Sequence, residues 1–398
     1  MTIIFESQIY PQEIESVLVS NSKSSVDFAS HNFCYAIYDG LKANGVNVIL
    51  VNTPNIGSYP ILYKKPYVPS VKLCDGLSLG FLNLPYLKRH IIRNKVYKKF
   101  CDAIESCPAS EKIVLLLYNF RSISILKKIK QCYPYVIICL IVTDLPQYML
   151  YPKHFLFYIG RNFFNKKKCN SLTLDFSNID GLVLLSHKMI EKLNLGDKPW
   201  IQIEGIYNSD VDVVKQSKPK ERVVLYTGNL GLRYGIKCLL DAFRQIPDEN
   251  YRLWICGSGE GKNLVLEYSR VDERIVYKGV LSRNDVIALQ KQATILVNPR
   301  KSTDEYTKYS FPSKTMEYLA SGTPLVMSRL SSFPQEYFPY IFYFENEDVD
   351  GFKSKMMEIC SMPQCVLDDF GKKASDFIFK NKTPMPQMAK LINFINKL

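Results

Sequence analysis

Short apolar runs rich in β-branched residues alternate with longer amphipathic stretches along almost the whole chain. The runs Val46–Val51, Ile113–Leu117, Val136–Val142, Gly181–Leu185, Val223–Tyr226, Leu253–Cys256, Ile295–Val297 and Leu325–Met327 have the length and composition of buried strands. Strands alternating with helices predict an α/β fold with parallel sheets flanked by helices. Between the fourth and fifth runs lies a polar, proline-bearing stretch, Asn208 to Glu221, ending Lys215-Gln-Ser-Lys-Pro-Lys-Glu221. It marks the best boundary in the 398 residues: an N-terminal domain over 1–206, a linker over 207–221 and a C-terminal domain over 222–380. A last helix, 381–398, is expected to pack back on the N-terminal domain. Open parallel sheets bind ligands at the carboxyl ends of their strands, so the loops after these runs are where chemistry is expected. Two such sheets facing one another would enclose an interdomain cleft.

The richest of these loops begins Lys308-Tyr-Ser-Phe-Pro-Ser-Lys-Thr-Met-Glu-Tyr-Leu-Ala-Ser-Gly-Thr-Pro-Leu-Val326, read as loop, helix, stop and strand. Pro312 suits a first helical turn, and Ser310 and Ser313 suit its cap. Gly322 and Pro324 end the helix. Free amides, the positive end of the helix dipole and the Lys314 ammonium together make an anion site. Glu317 lies one turn on, placed to take ribose hydroxyls while the helix start takes a diphosphate. Any α/β protein also has helices that open with Ser or Pro and close with Gly, so the segment alone leaves both interpretations open.

The neighbouring loops add to it. Tyr226-Thr-Gly-Asn-Leu-Gly-Leu-Arg-Tyr-Gly-Ile236 follows a strand, with Gly228, Gly231 and Gly235 allowing close backbone approach. Its spacing is not G-x-G-x-x-G, so a nicotinamide site is unsupported. Arg233 is placed either to reach a diphosphate or to stand solvated on a plain β–α connection. Cys256-Gly-Ser-Gly-Glu260 and Tyr277-Lys-Gly-Val-Leu281 each follow a strand, and Val297-Asn-Pro-Arg-Lys301 points Arg300 towards the same place as Lys314. Converging cations are what a departing nucleoside diphosphate needs. In the first domain Asp144 follows a strand, where it either orients a sugar hydroxyl or starts a turn before Leu145-Pro146. Ser30 and Asn32 are candidate caps for the helix after Ser22-Lys-Ser-Ser-Val-Asp27, and His31 between them reads as a satisfied loop histidine before a ligand. No His/Cys cluster has metal spacing, so no protein-bound metal is expected.

Charge and cysteines narrow the classes. Net charge is +13, and residues 1–206 hold 24 Lys and Arg against 15 Asp and Glu, so most of the basic excess is N-terminal. Anionic substrates or lipids account for such a bias; without zinc-finger, helix-turn-helix or single-strand-binding signatures, nucleic acid is not expected. The 11 cysteines are scattered, with no Cys-x-x-Cys, as in reduced cytoplasmic proteins. The N-terminal residues show no signal peptide, and Val136–Val142 is too short to span a bilayer. Two stretches, Leu84–Phe100 and Tyr151–Lys168, mix large apolar side chains with clustered Lys and Arg. Interfacial helices at anionic membranes look like this, as do solvated helices packed on a sheet.

In this order, Tyr226-Thr-Gly-Asn-Leu, Cys256-Gly-Ser-Gly-Glu, Lys278-Gly, Asn298-Pro-Arg and Ser310-Phe-Pro-Ser-Lys-x-x-Glu-Tyr-x-Ala-Ser-Gly-x-Pro resemble the family 4 glycosyltransferases of the GT-B fold. The likeness covers most of residues 221–345; the N-terminal domain is similar only through Thr143-Asp-Leu-Pro and Gly181–Ser186. The resemblance implies two Rossmann-like domains facing a cleft, a nucleotide sugar on the C-terminal domain, an acceptor on the N-terminal domain, and retention of configuration without a metal or other cofactor. Glu317 matches the second glutamate of the family's E-x7-E motif, which holds ribose. Tyr309 stands at the first, and Asn229 and Tyr234 stand where an Arg and a Lys are usual. The expected site has Lys314, Arg233 and Asp144 as catalytic groups, with Gly228, Asn229, Arg300, Tyr309, Ser310, Pro312, Ser313 and Glu317 binding the donor. The expected role is a hexosyltransferase of bacterial surface-polysaccharide synthesis (capsule or O-antigen). Its partners would be a nucleotide sugar, a glycan or polyprenyl-linked acceptor, and the anionic inner face of the cell membrane. Alternatives are a nucleotide-sugar epimerase of the same fold and a non-catalytic nucleotide-sugar-binding subunit.

Overall fold

The computed structural model describes residues 1–24, 26–145, 175–208 and 218–398. They form two compact units, Met1–Ile206 with Pro384–Leu398, and Tyr207–Thr383.

The first unit is built on β1 (Thr2–Ser7), β2 (Asn47–Asn52), β4 (Val71–Leu73), β5 (Gly76–Ser78), β7 (Ile113–Tyr118), β8 (Ile137–Val142), β9 (Gly181–Leu184) and β10 (Trp200–Gln202). Their order is β10-β9-β8-β7-β1-β2-β5-β4, parallel except for the β4–β5 hairpin. A small antiparallel pair, β3 (Tyr67–Val68) with β6 (Phe81–Leu82), lies outside it. All six residues of β1 are buried. Its apolar stretch is too short to stand out in the sequence, yet β1 pairs with β2 and β7 in the interior of the sheet. The Pro384–Asn396 helix belongs to this unit and lies on the Phe28–Ala43 helix. A Cβ on Gly40 would stand 2.3 Å from the Pro384 carbonyl oxygen, so the glycine permits the close approach. Met388, Leu391 and Ile395 join the core around Ile3, Phe5 and Leu116.

The Phe28–Ala43 helix is capped by Asp27 and not by Ser30 or Asn32, which lie within it. The Asp27 carboxylate accepts from the Ser30 amide (3.1 Å) and hydroxyl (2.7 Å), satisfying a free first-turn donor. His31 is therefore helical, not in a loop. Its Nδ1 accepts from the Tyr10 amide at 3.0 Å, its ring stacks on Tyr10, and burial lowers its pKa.

The second unit carries β11 (Arg222–Asn229), β12 (Tyr251–Ser258), β13 (Ile275–Gly279), β14 (Ile295–Asn298), β15 (Leu325–Met327) and β16 (Phe342–Tyr343), all parallel, in the order β13-β12-β11-β14-β15-β16. Both faces are covered. Val224, Ile255, Ile295 and Val297 enter one core; Val223, Leu225, Leu296 and Leu325 enter another. Two buried faces explain why these strands read as continuous apolar runs. The segment read as a linker is tied to this unit at both described ends. The Tyr207 amide donates to the Lys382 carbonyl (2.8 Å), and Lys218 pairs with Asp368 (2.8 Å). Residues 209–217 of it lie outside the described residues.

Glu6 of β1 is 2 % exposed. Its Oε1 accepts from the Ser122 hydroxyl at 2.6 Å, and its Oε2 has no partner among the described residues. Burial pushes its pKa up to about 7, against the lowering effects of Ser122 and the nearby Arg121 charge. The unfolded chain releases this proton near 4.5 and the folded chain near 7, so stability is lost as pH rises through that window and is level above it. Glu6→Gln should abolish this slope. In urea denaturation it should exceed the wild type by roughly 2–3 kcal/mol at about pH 8, with the gap closing towards the lower end of the window.

Candidate functional site

The second sheet has the doubly wound order whose reversal falls between β11 and β14, the position where such sheets bind ligands. β11 ends Thr227-Gly228-Asn229, and Arg300 follows β14 by two residues. Gly228 and Gly257 are register partners on β11 and β12, both at positive φ (149° and 131°). A Cβ on Gly257 would lie 1.8 Å from the Gly228 oxygen. One on Gly228 would lie 2.7 Å from Lys314 Nζ, so the ammonium occupies the space a side chain there would need.

Lys314 opens the Lys314–Ala320 helix, and its Nζ donates to the Thr227 carbonyl at 3.1 Å. Tyr318, one turn later on the same face, is fully buried. Its hydroxyl accepts from the Thr227 amide (2.8 Å) and donates to the Thr227 carbonyl (2.9 Å). This phenol clamps the helix to the strand and so fixes where Lys314 stands. Lys314 is exposed as a residue, with its ammonium set against the Thr227 carbonyl and Gly228. Burial lowers its pKa, Glu317 opposes this, and Arg300 adds to it. No carboxylate is ion-paired with Lys314 among the described residues.

Glu317 follows on the same helix. Its Oε1 accepts from Gln290 Nε2 at 2.7 Å. Gln290 is fully buried on the Arg283–Gln292 helix, and its carbonyl accepts from the Thr323 hydroxyl. Gln290 was not foreseen from sequence; its one signal is a polar residue at a core-facing position of an amphipathic helix. Arg233 and Arg300 share the ring of Tyr234, at 4.8 and 4.6 Å from its centroid, and Arg233 also lies 5.6 Å from the Tyr306 ring. Arg233 Nη2 donates to the Tyr234 hydroxyl at 2.6 Å. Tyr234, which replaces a customary cation, thus serves as a platform for two.

Other expected roles change. Ser313 has helical backbone angles (φ −50°, ψ −31°) and makes no side-chain cap, because a capping hydroxyl needs an extended backbone to reach the next amides. Ser310 donates instead to the Tyr306 carbonyl at 3.1 Å. Pro312 lies before the helix, and its carbonyl accepts from the Thr315 amide at 2.8 Å. Asn229 turns inward to its own loop, its Oδ1 accepting from the Gly231 amide at 2.8 Å. Tyr309 is buried. Asp144 belongs to the first unit, in the loop after β8. The residues of the turn it would start, from Pro146 on, lie outside the described residues. Burial and then the Asp27 charge raise its pKa. Among the described residues no group of three or more His, Cys, Asp or Glu could hold a metal ion.

Residues 209–377 match the Glycosyl transferases group 1 family. A D-inositol 3-phosphate glycosyltransferase of Corynebacterium glutamicum (strain R) is 31% identical over 124 residues, a match spanning 28% of this chain and 28% of that protein. Among solved structures, a sucrose-phosphate synthase from Thermosynechococcus elongatus matches with TM-score 0.61 at 15% identity, covering 100% of this chain and 99% of that one. An alpha,alpha-trehalose-phosphate synthase (UDP-forming) from Burkholderia xenovorans, in complex with glucose-6-phosphate, gives 0.58 at 11%, covering 99% of each. The lipopolysaccharide outer core galactosyltransferase WaaB gives 0.58 at 15%, covering 100% of each. These likenesses establish the GT-B fold.

Removing the clamp tests this geometry. Tyr318→Phe leaves the Thr227 amide without its partner and should cost about 1–3 kcal/mol in chemical denaturation. Calorimetric titration should also show weaker binding of nucleoside diphosphates, because Lys314 loses its fixed seat.

Proposed function

We propose that the protein is a retaining glycosyltransferase that moves a sugar from a nucleotide-diphosphate sugar to a glycan or lipid-linked acceptor in cell-surface polysaccharide synthesis. The observation that supports it most is the Lys314 ammonium, held at the switch point on the Thr227 carbonyl, with Arg300 beside it and Glu317 one turn away. The family match over residues 209–377, and the sugar-transferring and sugar-phosphate-making proteins that resemble the chain, support the same class.

In this scheme the donor diphosphate lies at the ends of β11 and β14, against the Lys314 ammonium that fills the space beside Gly228. Lys314, Arg300 and Arg233 neutralise the charge that grows on the diphosphate as the glycosidic bond breaks. Fixed cations lower the barrier because they are already oriented. Glu317, aimed by Gln290, accepts from the ribose hydroxyls. The acceptor is held by the first unit, where Asp144 orients its hydroxyl. That hydroxyl enters on the face the diphosphate leaves, forms the new C–O bond and passes its proton to the departing phosphate oxygen. No protein-bound metal or cofactor takes part.

A place at the inner face of the cell membrane fits the Leu87–Glu105 helix. Next to Lys88 and Arg89 it exposes Tyr86 (85 %) and Leu87 (53 %). The second basic stretch, Tyr151–Lys168, lies outside the described residues. No helix among the described residues is long and apolar enough to cross a membrane. In vesicle sedimentation the protein should bind anionic liposomes at low salt and release them near 0.5 M salt; no binding at low salt would count against membrane contact.

Nucleotide sugars should raise the melting temperature of the wild type, and the most effective one identifies the donor. Lys314→Ala should lower kcat by roughly 10²–10³-fold with little change in melting temperature. Near-normal turnover of that variant would sink the assignment. Conversion of UDP-N-acetylglucosamine without any acceptor would point to an epimerase.

A further inference from the structure

The first sheet has a switch point of its own. Its order reverses between β1 and β7, and the loops at the carboxyl ends of these strands hold charged groups that donor binding does not use. Arg121 lies three residues beyond β7 and docks on the loop after β2, its Nη1 donating to the Thr53 carbonyl (3.0 Å) and to the Thr53 hydroxyl. Lys88 reaches the same loop from the first turn of the Leu87–Glu105 helix and donates to the Ile56 carbonyl. Arg89, the next residue, is exposed and close enough for its charge to act on Arg121.

No carboxylate is ion-paired with any of these three among the described residues. The carboxylate whose charge acts on Arg121 most strongly is Glu6, buried against Ser122 and only partly ionised at neutral pH. Lys88 and Arg121, both half-buried, and the exposed Arg89 therefore stand together without an ion-paired carboxylate among the described residues. Burial, then Arg121, pushes Lys88 down to about 7, and burial lowers Arg121 while Arg89 works in the same direction. Arg121 retains partial exposure, and its Nε and Nη2 have no protein partner among the described residues. A guanidinium with a free edge beside an ammonium matches the oxygens of a doubly charged tetrahedral anion. A single carboxylate would balance only one of the two.

We propose that Arg121, Lys88 and Arg89 form an anion subsite for a phosphate group carried by the acceptor. The assignment rests on the glycosyltransferase scheme only in calling this ligand the acceptor. Two kinds of acceptor share the chemistry, a soluble sugar phosphate and a polyprenyl diphosphate.

The test titrates inorganic pyrophosphate calorimetrically into the full chain saturated with UDP, so that the donor site is filled. Pyrophosphate should still bind. Lys88→Gln and Arg121→Gln should each weaken it by roughly tenfold or more, with UDP affinity unchanged. Lys88→Gln alone suffices should Arg121→Gln fold poorly. No pyrophosphate binding to the UDP-saturated protein, or binding that Lys88→Gln leaves intact, overturns the subsite. A wild type that ignores UDP would instead count against the donor scheme. Pyrophosphate binding that is sensitive to Lys88→Gln and indifferent to Lys314→Ala would then still support the subsite. Glucose 6-phosphate and a short-chain polyprenyl diphosphate in mild detergent serve as competitors. Whichever displaces pyrophosphate names the source, and displacement by neither overturns the acceptor role.

Discussion

The chemistry of the second unit depends on one phenol. Tyr318 reaches from a helix into the end of β11 and engages both the amide and the carbonyl of Thr227. Strand ends in a parallel sheet carry polar groups that the ladder no longer pairs, and burying them unpaired is costly. Tyr318 satisfies them, and the helix it belongs to can then sit in one position only. Lys314, one turn earlier, lands on the same carbonyl. The glycines of β11 and β12 are consequences of this crowding, since backbone and ammonium occupy the volumes that side chains would take. The sheet supplies the place, the phenol supplies the register, and the cation follows from both.

Much of this was legible in the chain because burial on both faces of a parallel sheet leaves plain apolar runs. Every strand-like run named from sequence is a strand, within a residue or so at most ends. β1 escaped notice because four apolar residues at the start of a chain carry no periodic context, although pairing with β2 and β7 makes it central. The small elements β3 to β6 escaped too, being too short for any pattern. Caps were the weakest inferences. Ser30, Asn32, Ser310 and Ser313 all have the right chemistry, but capping is decided by one backbone angle, and sequence does not fix that angle. Asp27 took the role three residues before Ser30 because the helix began earlier.

The departures from the family pattern have a physical reading. Tyr234 stands where a cation is customary, and two arginines from separate loops gather on its ring. One aromatic surface thus holds two guanidinium groups side by side. Tyr309, which the resemblance sets at the place of an acidic residue, is buried and contributes packing. Gln290 shows the opposite case, a residue with no motif that governs the aim of one that has. Its partner was visible in sequence because Glu317 belongs to a spaced pattern; Gln290 meets it only through the packing of two helices.

The helix Pro384–Asn396 threads back to the first unit after the whole second unit has been traced, and it fills the core beside Ile3 and Phe5 with Met388, Leu391 and Ile395. A ribosome delivers the chain in one direction. The first unit's sheet therefore leaves the exit tunnel long before the residues that close its interior. Until then its apolar floor, opposite Gly40, is open to water and to chaperones. The second unit is continuous and meets no such delay, so it is complete before the helix that closes the first unit has been made.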